Sequence, residues 1–477
     1  MAAKLLRVLM VASEAQPFSK TGGLADVTTA LSQALGRLGH RVTLVTPRYR
    51  GSEAGEHRDS VRARIANRWI DADLYDASLG ENARALLVDC PQLYDRAGLY
   101  AENNTDYPDN PLRFAFLSIA ALEWAFRQPE PFSIVHAHDW QAGLVPVYHQ
   151  RRTPTVFTIH NLAFQGAFDN GWVPALGLRW QDFTAAGFEF WNRISFLKAG
   201  VVFSDALTTV SPTYALEIQR PEFGYGFDGI MTARSSAVVG ILNGIDDEAW
   251  DPSRDAFLPA PFDTTDLSGK LVAKRALLDL YGLPVDQAAM SRPVVAMVSR
   301  MTEQKGLDLV AALAPHLPSL DATFTIAGTG EPGFERMWRS LAAAHPRQFG
   351  VFIGFDEQRA HLVEAGADVF LMPSRYEPSG LNQMYSMRYG TVPVVRAVGG
   401  LADTVRPFNP ENGEGTGFLF AEYDPSALWD ALQQALAVYR TEPRTWRRLQ
   451  TNGMKTDFSW RRSAREYVKV YRRTLTR

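Results

Sequence analysis

The chain alternates short, continuously apolar runs with longer stretches whose apolar residues recur every three or four positions. LLRVLMV at 5–11 has the character of a buried strand. A polar loop follows, and then Leu24, Val27, Leu31, Ala34, Leu35 and Leu38 fall on one helical face. RVTLVTP at 41–47 is the next strand. Strands without polar alternation, joined through a helix, predict a βαβ unit and a parallel sheet covered on both faces. ALLVD, SIVHAHD, TVFTIHN, ALTTVSP and VVGILNG continue the series. From Arg292 the alternation restarts. PVVAMVSR, TFTIAG, VFIGF, VFLMPS and VPVVRAV read as strands, separated by helices through LDLVAALAPHL, GTGEPGFERMWRSLAAA, HLVEAG and LNQMYSMRYG.

The least regular interval is DDEAWDPSRDAFLPAPFDTTDLSGK, rich in proline and turn formers. The expected organisation is a first domain over 1–248, a linker over 249–270, a second domain over 271–457 and a closing helix over 458–477. The expected class is α/β, with two Rossmann-like doubly wound domains facing across a cleft. A length of 477 residues suits two such cores. In the closing segment, Ala464, Tyr467, Val468, Tyr471 and Leu475 sit at helical spacing against a basic face. The expectation is an amphipathic helix with a solvated basic side, in preference to an RNA-binding arm.

Composition narrows the function further. The net charge is −3, so nothing in it invites nucleic acid or an anionic membrane. One cysteine, Cys90, excludes an intrachain disulfide and suits a reducing compartment. The apolar stretch after Arg7 is shorter than a secretory signal requires, and no apolar run is long enough to span a bilayer. A cytoplasmic protein is expected.

One short segment occurs twice: GGLAD at 22–26 and again at 399–403. Paired glycines between strand and helix let a ligand approach the backbone and leave amides exposed at the helix start, an arrangement suited to phosphate. Lys20 adds a cation beside the first copy. The alternative is a tight loop needing positive φ, with Lys20 solvated. Neither copy is G-x-G-x-x-G, and the second strand ends in TPRYR instead of an acid, which disfavours a nicotinamide dinucleotide. SRMTEQKG places Arg300 and Lys305 on one strand-end loop, able to clamp a diphosphate and stabilise it as a leaving group. In SRYEPSGLNQ, Pro378 suits a first helical turn, while Ser379, Gly380 and Leu381 would offer amides to an anion. Glu377 beside them reads as a ligand for sugar hydroxyls or a support for a cationic transition state, or as a charge complementing the helix dipole. His136 and His138 share one strand face, with His160 ending the next strand, so a metal-dependent hydrolase is a rival reading. No HExxH or CxxC accompanies them, and Asp139 and His160 better suit substrate positioning.

Together KTGGLADV, YDRAGLYA, HAHDWQAGL, TIHNLAFQG, NGID, SRMTEQKGLDL, PSRYEPSGLNQ, GGLADTV and DFSW resemble the bacterial glycogen synthase and plant starch synthase family, in family order from about residue 8 to 460. The resemblance implies a GT-B glycosyltransferase that moves glucose from ADP-glucose to the non-reducing end of an α-1,4-glucan with retention, without metal or cofactor. The compact length is similar to that of bacterial members. By resemblance, Lys20, Gly22, Gly23, Asp26 and Asn243 would serve the donor. Arg300 and Lys305 would hold the diphosphate, and Glu377 the glucosyl unit. The amides of Gly380 and Leu381 would take the distal phosphate, with Gly399 and Gly400 offering theirs from the opposite wall. His160 would lie against the transferring glucose, with Asp139, Tyr94 and Asn161 nearby. Three positions depart from the family pattern: Ser379 stands where cysteine is common, Phe355 where tyrosine stacks on adenine, and Val398 where threonine is frequent. Rivals to this reading are a UDP-glucose enzyme and a glucan-binding protein without catalysis.

Overall fold

Residues 5–103, 105–149 and 153–476 are described by a computed structural model. They form two compact units. The first comprises Met1–Val210, Ala215–Gly244 and Trp460–Arg477; the second comprises Ser211–Tyr214 and Ile245–Ser459. No helix among the described residues is long and apolar enough to cross a membrane.

The first unit is built on nine strands: β1 (Arg7–Val11), β2 (Arg41–Pro47), β3 (Glu56–Ile65), β4 (Arg68–Gly80), β5 (Ala83–Asp89), β6 (Ile134–His138), β7 (Thr155–Ile159), β8 (Ala206–Thr209) and β9 (Val238–Gly240). Their order is β9-β8-β7-β6-β1-β2-β5-β4-β3. Strands β9 to β5 in that order are parallel, with Val8 of β1 opposite Val42 of β2 and Ile134 of β6. β3 and β4 form an antiparallel hairpin at one edge. Along the hairpin, buried Val61, Ala63 and Ile65 alternate with exposed residues, as expected of a strand with one dry face. Helix α1 (Gly23–Arg37) buries Val27, Leu31, Ala34 and Leu35 against Val8 and Met10 of β1.

The second unit carries six parallel strands: β10 (Val294–Val298), β11 (Thr323–Gly328), β12 (Phe349–Ile353), β13 (Val369–Met372), β14 (Val392–Arg396) and β15 (Phe418–Phe420). Their order is β12-β11-β10-β13-β14-β15. Helices α2 (Ser268–Leu280), α3 (Asn382–Arg388) and α4 (Gly399–Thr404) pack with this sheet in one of its two apolar cores. In each unit the first strand lies between two neighbours whose chain order runs in opposite directions. The switch falls between β1 and β6 in the first unit and between β10 and β13 in the second. Such points open a crevice beyond the carboxyl ends of the strands.

The last helix, α5 (Trp460–Leu475), returns to the first unit. Trp460, Ala464, Tyr467, Val468, Val470 and Tyr471 enter the core around β1 and α1. Its basic residues, from Arg461 to Arg473, lie on the exposed side. The proline-rich stretch expected to link the domains is packed on the second unit. Phe262 is buried, and Trp250 stacks on His361 and Tyr385 with centroids 3.7 and 3.8 Å apart. Asp255 accepts hydrogen bonds from His361 Nδ1 at 2.7 Å and Tyr389 Oη at 2.5 Å, with both side chains of the Asp255–His361 pair out of water. Burial would raise the Asp255 carboxyl, but the hydrogen bonds from His361 and Tyr389 outweigh it and hold the group below its ordinary value. Its stabilising contribution is therefore present above the ordinary value of 3.8 and is lost as pH falls through the lower folded-state value. Asp255→Ala should destabilise the second unit by about 3 kcal/mol at neutral pH, the scale of stranding half of a buried pair, as read by denaturant unfolding.

Candidate active site

Each switch point carries a cluster of polar side chains, and the two clusters are built differently. In the first unit, the loop leaving β1 is organised by a residue that no sequence motif marks. The buried carboxylate of Glu14 accepts from Thr21 N at 2.5 Å, Thr21 Oγ1 at 2.7 Å and Tyr100 Oη at 2.6 Å. Tyr100 also meets Ser13 Oγ at 2.7 Å. This anchor holds the segment running into Gly22 and Gly23. Gly22 caps α1 in extended backbone, and methyl groups built at either glycine would meet nothing within 4 Å. The positive-φ reading of this turn is thus corrected. Neither conformation nor packing demands these glycines; they leave open space at a helix N-terminus. Lys20 lies beside them, 2.8 Å from Asp26, with both groups accessible to water.

Across the switch point, β6 ends at His138 and the backbone turns sharply at Asp139, whose φ is +59. That conformation is costly for a residue with a side chain and places the carboxylate under the next strand end. The backbone amide of His160 donates to Asp139 at 3.4 Å. Burial pushes the carboxyl up to about 7, against the opposing effect of the His160 and Asn161 amides. The three histidines form a row in which His136 and His138 are buried and His160 is half-buried. His136 and His138 rings stand 4.0 Å apart, and His138 Nδ1 meets His160 Nε2 at 3.1 Å. His136 contacts Tyr471 Oη at 2.8 Å and Thr158 Oγ1 at 2.6 Å. Burial drives His136 and His160 down to about 3, so they are neutral near physiological pH. No group of three or more His, Cys, Asp or Glu among the described residues is arranged to hold a metal ion. Asn161 stays at this end, its Oδ1 accepting from Ala163 N at 3.1 Å. Asn243 is buried just beyond β9.

Tyr94 does not reach this cluster. It is fully buried, with its hydroxyl donating to Arg113 O at 2.8 Å, because the helical turn Pro91–Tyr94 directs it into the core. The tyrosine at the strand ends is Tyr100, six residues later in the same YDRAGLY segment.

In the second unit, Arg300 and Lys305 lie on the loop after β10. Gly306 ends the single turn bearing Lys305 at φ +76, and a methyl group there would come 2.0 Å from Pro373 O. That close approach sets Lys305 against the loop after β13. Its ammonium meets Glu377 Oε2 at 2.5 Å, and Ser374 Oγ donates to the same oxygen at 3.2 Å. The Glu377 side chain is enclosed, whereas Arg300 is exposed and bonds Gln304 Oε1 at 2.8 Å. The backbone amides of Gly380 and Leu381 make no hydrogen bond within the described residues and open α3. Asn382 Nδ2 ties this start to Val298 O at 2.7 Å. Phe355, after the edge strand β12, is 87 % exposed, a bare ring with no packing role.

The second GGLAD is not a copy of the first in function. Gly399 and Gly400 are buried, and the Gly400 amide already donates to Glu377 O at 3.0 Å. The expectation that it offers an amide to ligand is corrected. A methyl group on Gly400 would come 1.9 Å from Ser379 O, so this glycine lets the backbone of the loop after β13 pass. Asp403 accepts from Thr213 N and Oγ1 at 2.8 and 2.7 Å. Val398 is buried in the apolar core, so its missing hydroxyl is a packing matter.

Comparison with known proteins agrees with this layout. Residues 7–233 match the starch synthase catalytic domain family and residues 285–453 match glycosyl transferases group 1. The glycogen synthase of Anaeromyxobacter dehalogenans is 48 % identical over 484 aligned positions, covering 98 % of this chain and 99 % of that one. That of Myxococcus xanthus is 47 % identical, with 98 % and 99 % covered. The catalytic domain of starch synthase IV from Arabidopsis thaliana, solved bound to ADP and acarbose, superposes with a TM-score of 0.89 at 30 % identity, covering 99 % of this chain and all of that one. Sucrose-phosphate synthase from Thermosynechococcus elongatus shares the fold at a TM-score of 0.61 and 18 % identity. Two parallel-sheet α/β domains of this kind define a GT-B glycosyltransferase. The chain belongs to the glycogen synthase family.

Three substitutions, each read by denaturant unfolding, check the site. Gly23→Ala should leave stability unchanged or up to about 1 kcal/mol higher, since alanine favours helix and finds open space. Gly400→Ala should cost at least about 2 kcal/mol through overlap with the Ser379 carbonyl. The Asp139 carboxyl takes up a proton on folding between its ordinary 3.8 and about 7. Its ionisation is therefore a destabilising contribution that grows through that window. Asp139→Asn should accordingly gain stability relative to the parent chain as pH rises from about 4 to about 7, with no further change above.

Proposed function

We propose that this chain transfers glucose from ADP-glucose to the non-reducing end of an α-1,4-glucan, with retention at the anomeric carbon. The observation that carries this reading is the Lys305–Glu377 pair beside two unbonded amides at the second switch point. That set presents cation, anion and N–H donors within one loop cluster, which is what a hexose joined to a diphosphate requires. Arg300 and Lys305 bind the diphosphate and stabilise it as the bond to glucose breaks. The Gly380 and Leu381 amides serve the distal phosphate, and the exposed ring of Phe355 stacks on adenine. Ser379 contributes backbone to this turn. Glu377 binds the glucosyl unit and places negative charge near the developing oxocarbenium.

In the first unit, Lys20 with Gly22 and Gly23 serves the phosphates or the donor sugar, Asp26 orients Lys20, and Asn243 belongs to the same pocket. His160, Asp139 and Asn161 position the transferring glucose. Neutral His160 offers a hydrogen bond without competing for the phosphate charge. In the reaction the anomeric C–O bond breaks with its electron pair leaving on ADP. The acceptor 4-hydroxyl then adds from the same face, and its proton passes to the departing diphosphate oxygen. Arg300 and Lys305 supply the charge neutralisation. The similarity to an ADP-bound starch synthase supports the choice of donor.

The test is a donor panel with purified protein and maltoheptaose. Turnover of ADP-glucose well above UDP-glucose is expected, and its absence rejects the reading. Lys305→Ala and Glu377→Ala should each lower kcat by at least about 10²-fold, the scale of one lost transition-state contact. A change confined to glucan affinity would contradict these roles.

A further inference from the structure

Two aromatic residues of the first unit stand in left-handed backbone, where bulky side chains are rarely tolerated: Trp191 at φ +53 and Tyr225 at φ +48. Trp191 and Asn192 form the two-residue turn of a hairpin in which Phe190 pairs with Arg193. Such turns favour Asn-Gly, and here the bulkiest side chain takes the first place. The turn is held by Asn192 N donating to Glu189 Oε1 at 2.7 Å and by Asn170 Nδ2 on Asn192 Oδ1 at 3.1 Å. The strain is not repaid by packing, because Trp191 is 80 % exposed.

The segments that carry the two outliers are adjacent. Gly226, next to Tyr225, lies so close to the hairpin that a methyl group on it would come 3.1 Å from Phe190 and 3.7 Å from Trp191 Nε1. Gln165 Nε2 donates to Tyr225 O at 2.9 Å, which ties the pair to the loop leaving β7. On that loop Phe164 is a third exposed ring, three residues beyond Asn161. Gly166 packs under Trp140, the residue after Asp139. A run of exposed rings therefore continues from the first switch point outward, and strain at exposed, non-packing positions marks a binding role.

We propose that Trp191, with Tyr225 and Phe164, forms a stacking platform for the apolar faces of pyranose units in an α-1,4-glucan, behind its reacting end. This rests on the acceptor being such a glucan. Flat rings lose little entropy on binding, and the C–H face of a glucose unit complements the negative face of an indole. The residue sets acceptor length preference, not the chemical step.

The experiment uses the full chain and maltoheptaose, with calorimetric binding in the absence of donor alongside steady-state kinetics. Trp191→Gly suits the left-handed backbone, so its melting temperature should equal or exceed that of the parent. Its affinity for maltoheptaose should fall about tenfold, with KM rising in parallel and kcat changing less than about twofold. Trp191→Tyr should recover most of the affinity. Unchanged affinity in Trp191→Gly overturns the platform, as does a loss accompanied by a lowered melting temperature, which would mark a packing role. A parent chain that self-associates through this face, with the glycine variant monomeric and equal in affinity, also overturns it. Parent chain that binds maltoheptaose yet turns over no nucleotide sugar overturns the preceding functional reading and leaves the platform standing.

Discussion

Parallel strands end together on one edge of a sheet, and every loop leaving them must turn away toward a helix. Where the chain's progress across the sheet reverses, neighbouring loops turn to opposite faces and the backbone parts. Both units obey this constraint at their first strand, and the main polar clusters gather there. Glu14, Lys20 and Asp139 flank the gap between β1 and β6, with His160 at the end of neighbouring β7. Arg300, Lys305, Glu377 and Gly380 flank that between β10 and β13. Strand order thus brings together residues far apart in sequence, such as Lys305 and Glu377.

Charge is managed differently on the two sides. At the ends of β6 and β7 in the first unit burial strips charge away, leaving neutral histidines and a carboxyl that ionises only near neutrality, while the Lys20–Asp26 pair beside α1 stays accessible to water. In the second unit opposite charges are kept and joined directly, and Lys305 retains some exposure to solvent while Glu377 does not. A neutral surface can hold sugar hydroxyls without attracting phosphate, whereas a paired ammonium can exchange its carboxylate for a phosphate oxygen. The division follows from which side chains are buried and which remain accessible.

Much of this was legible in the sequence because parallel strands buried on both faces leave unbroken apolar runs, and their ends point to the loops that matter. The β3–β4 hairpin was less visible, since its alternating pattern is short of continuous apolar residues. Within YDRAGLY, no periodicity distinguishes the tyrosine that reaches the strand ends from the one the preceding turn buries, and only the fold separates Tyr100 from Tyr94. Identical letters also concealed different uses: the first Gly-Gly leaves space, while the second lets one backbone pass against another. Glu14 and the left-handed Trp191 carry no sequence signal, because their importance lies in contacts and dihedral angles.

Helix α5 supplies Trp460, Tyr467 and Tyr471 to the same core as β1, and Tyr471 bonds His136 beside the first switch point. During synthesis the ribosome must produce the intervening roughly 215 residues, about 10–40 s of elongation, before that core can be closed. Until then the nascent first unit presents an unfilled apolar groove along α1. Its folding is therefore completed last, although most of it is made first, because the chain places the helix that fills its core at the very end.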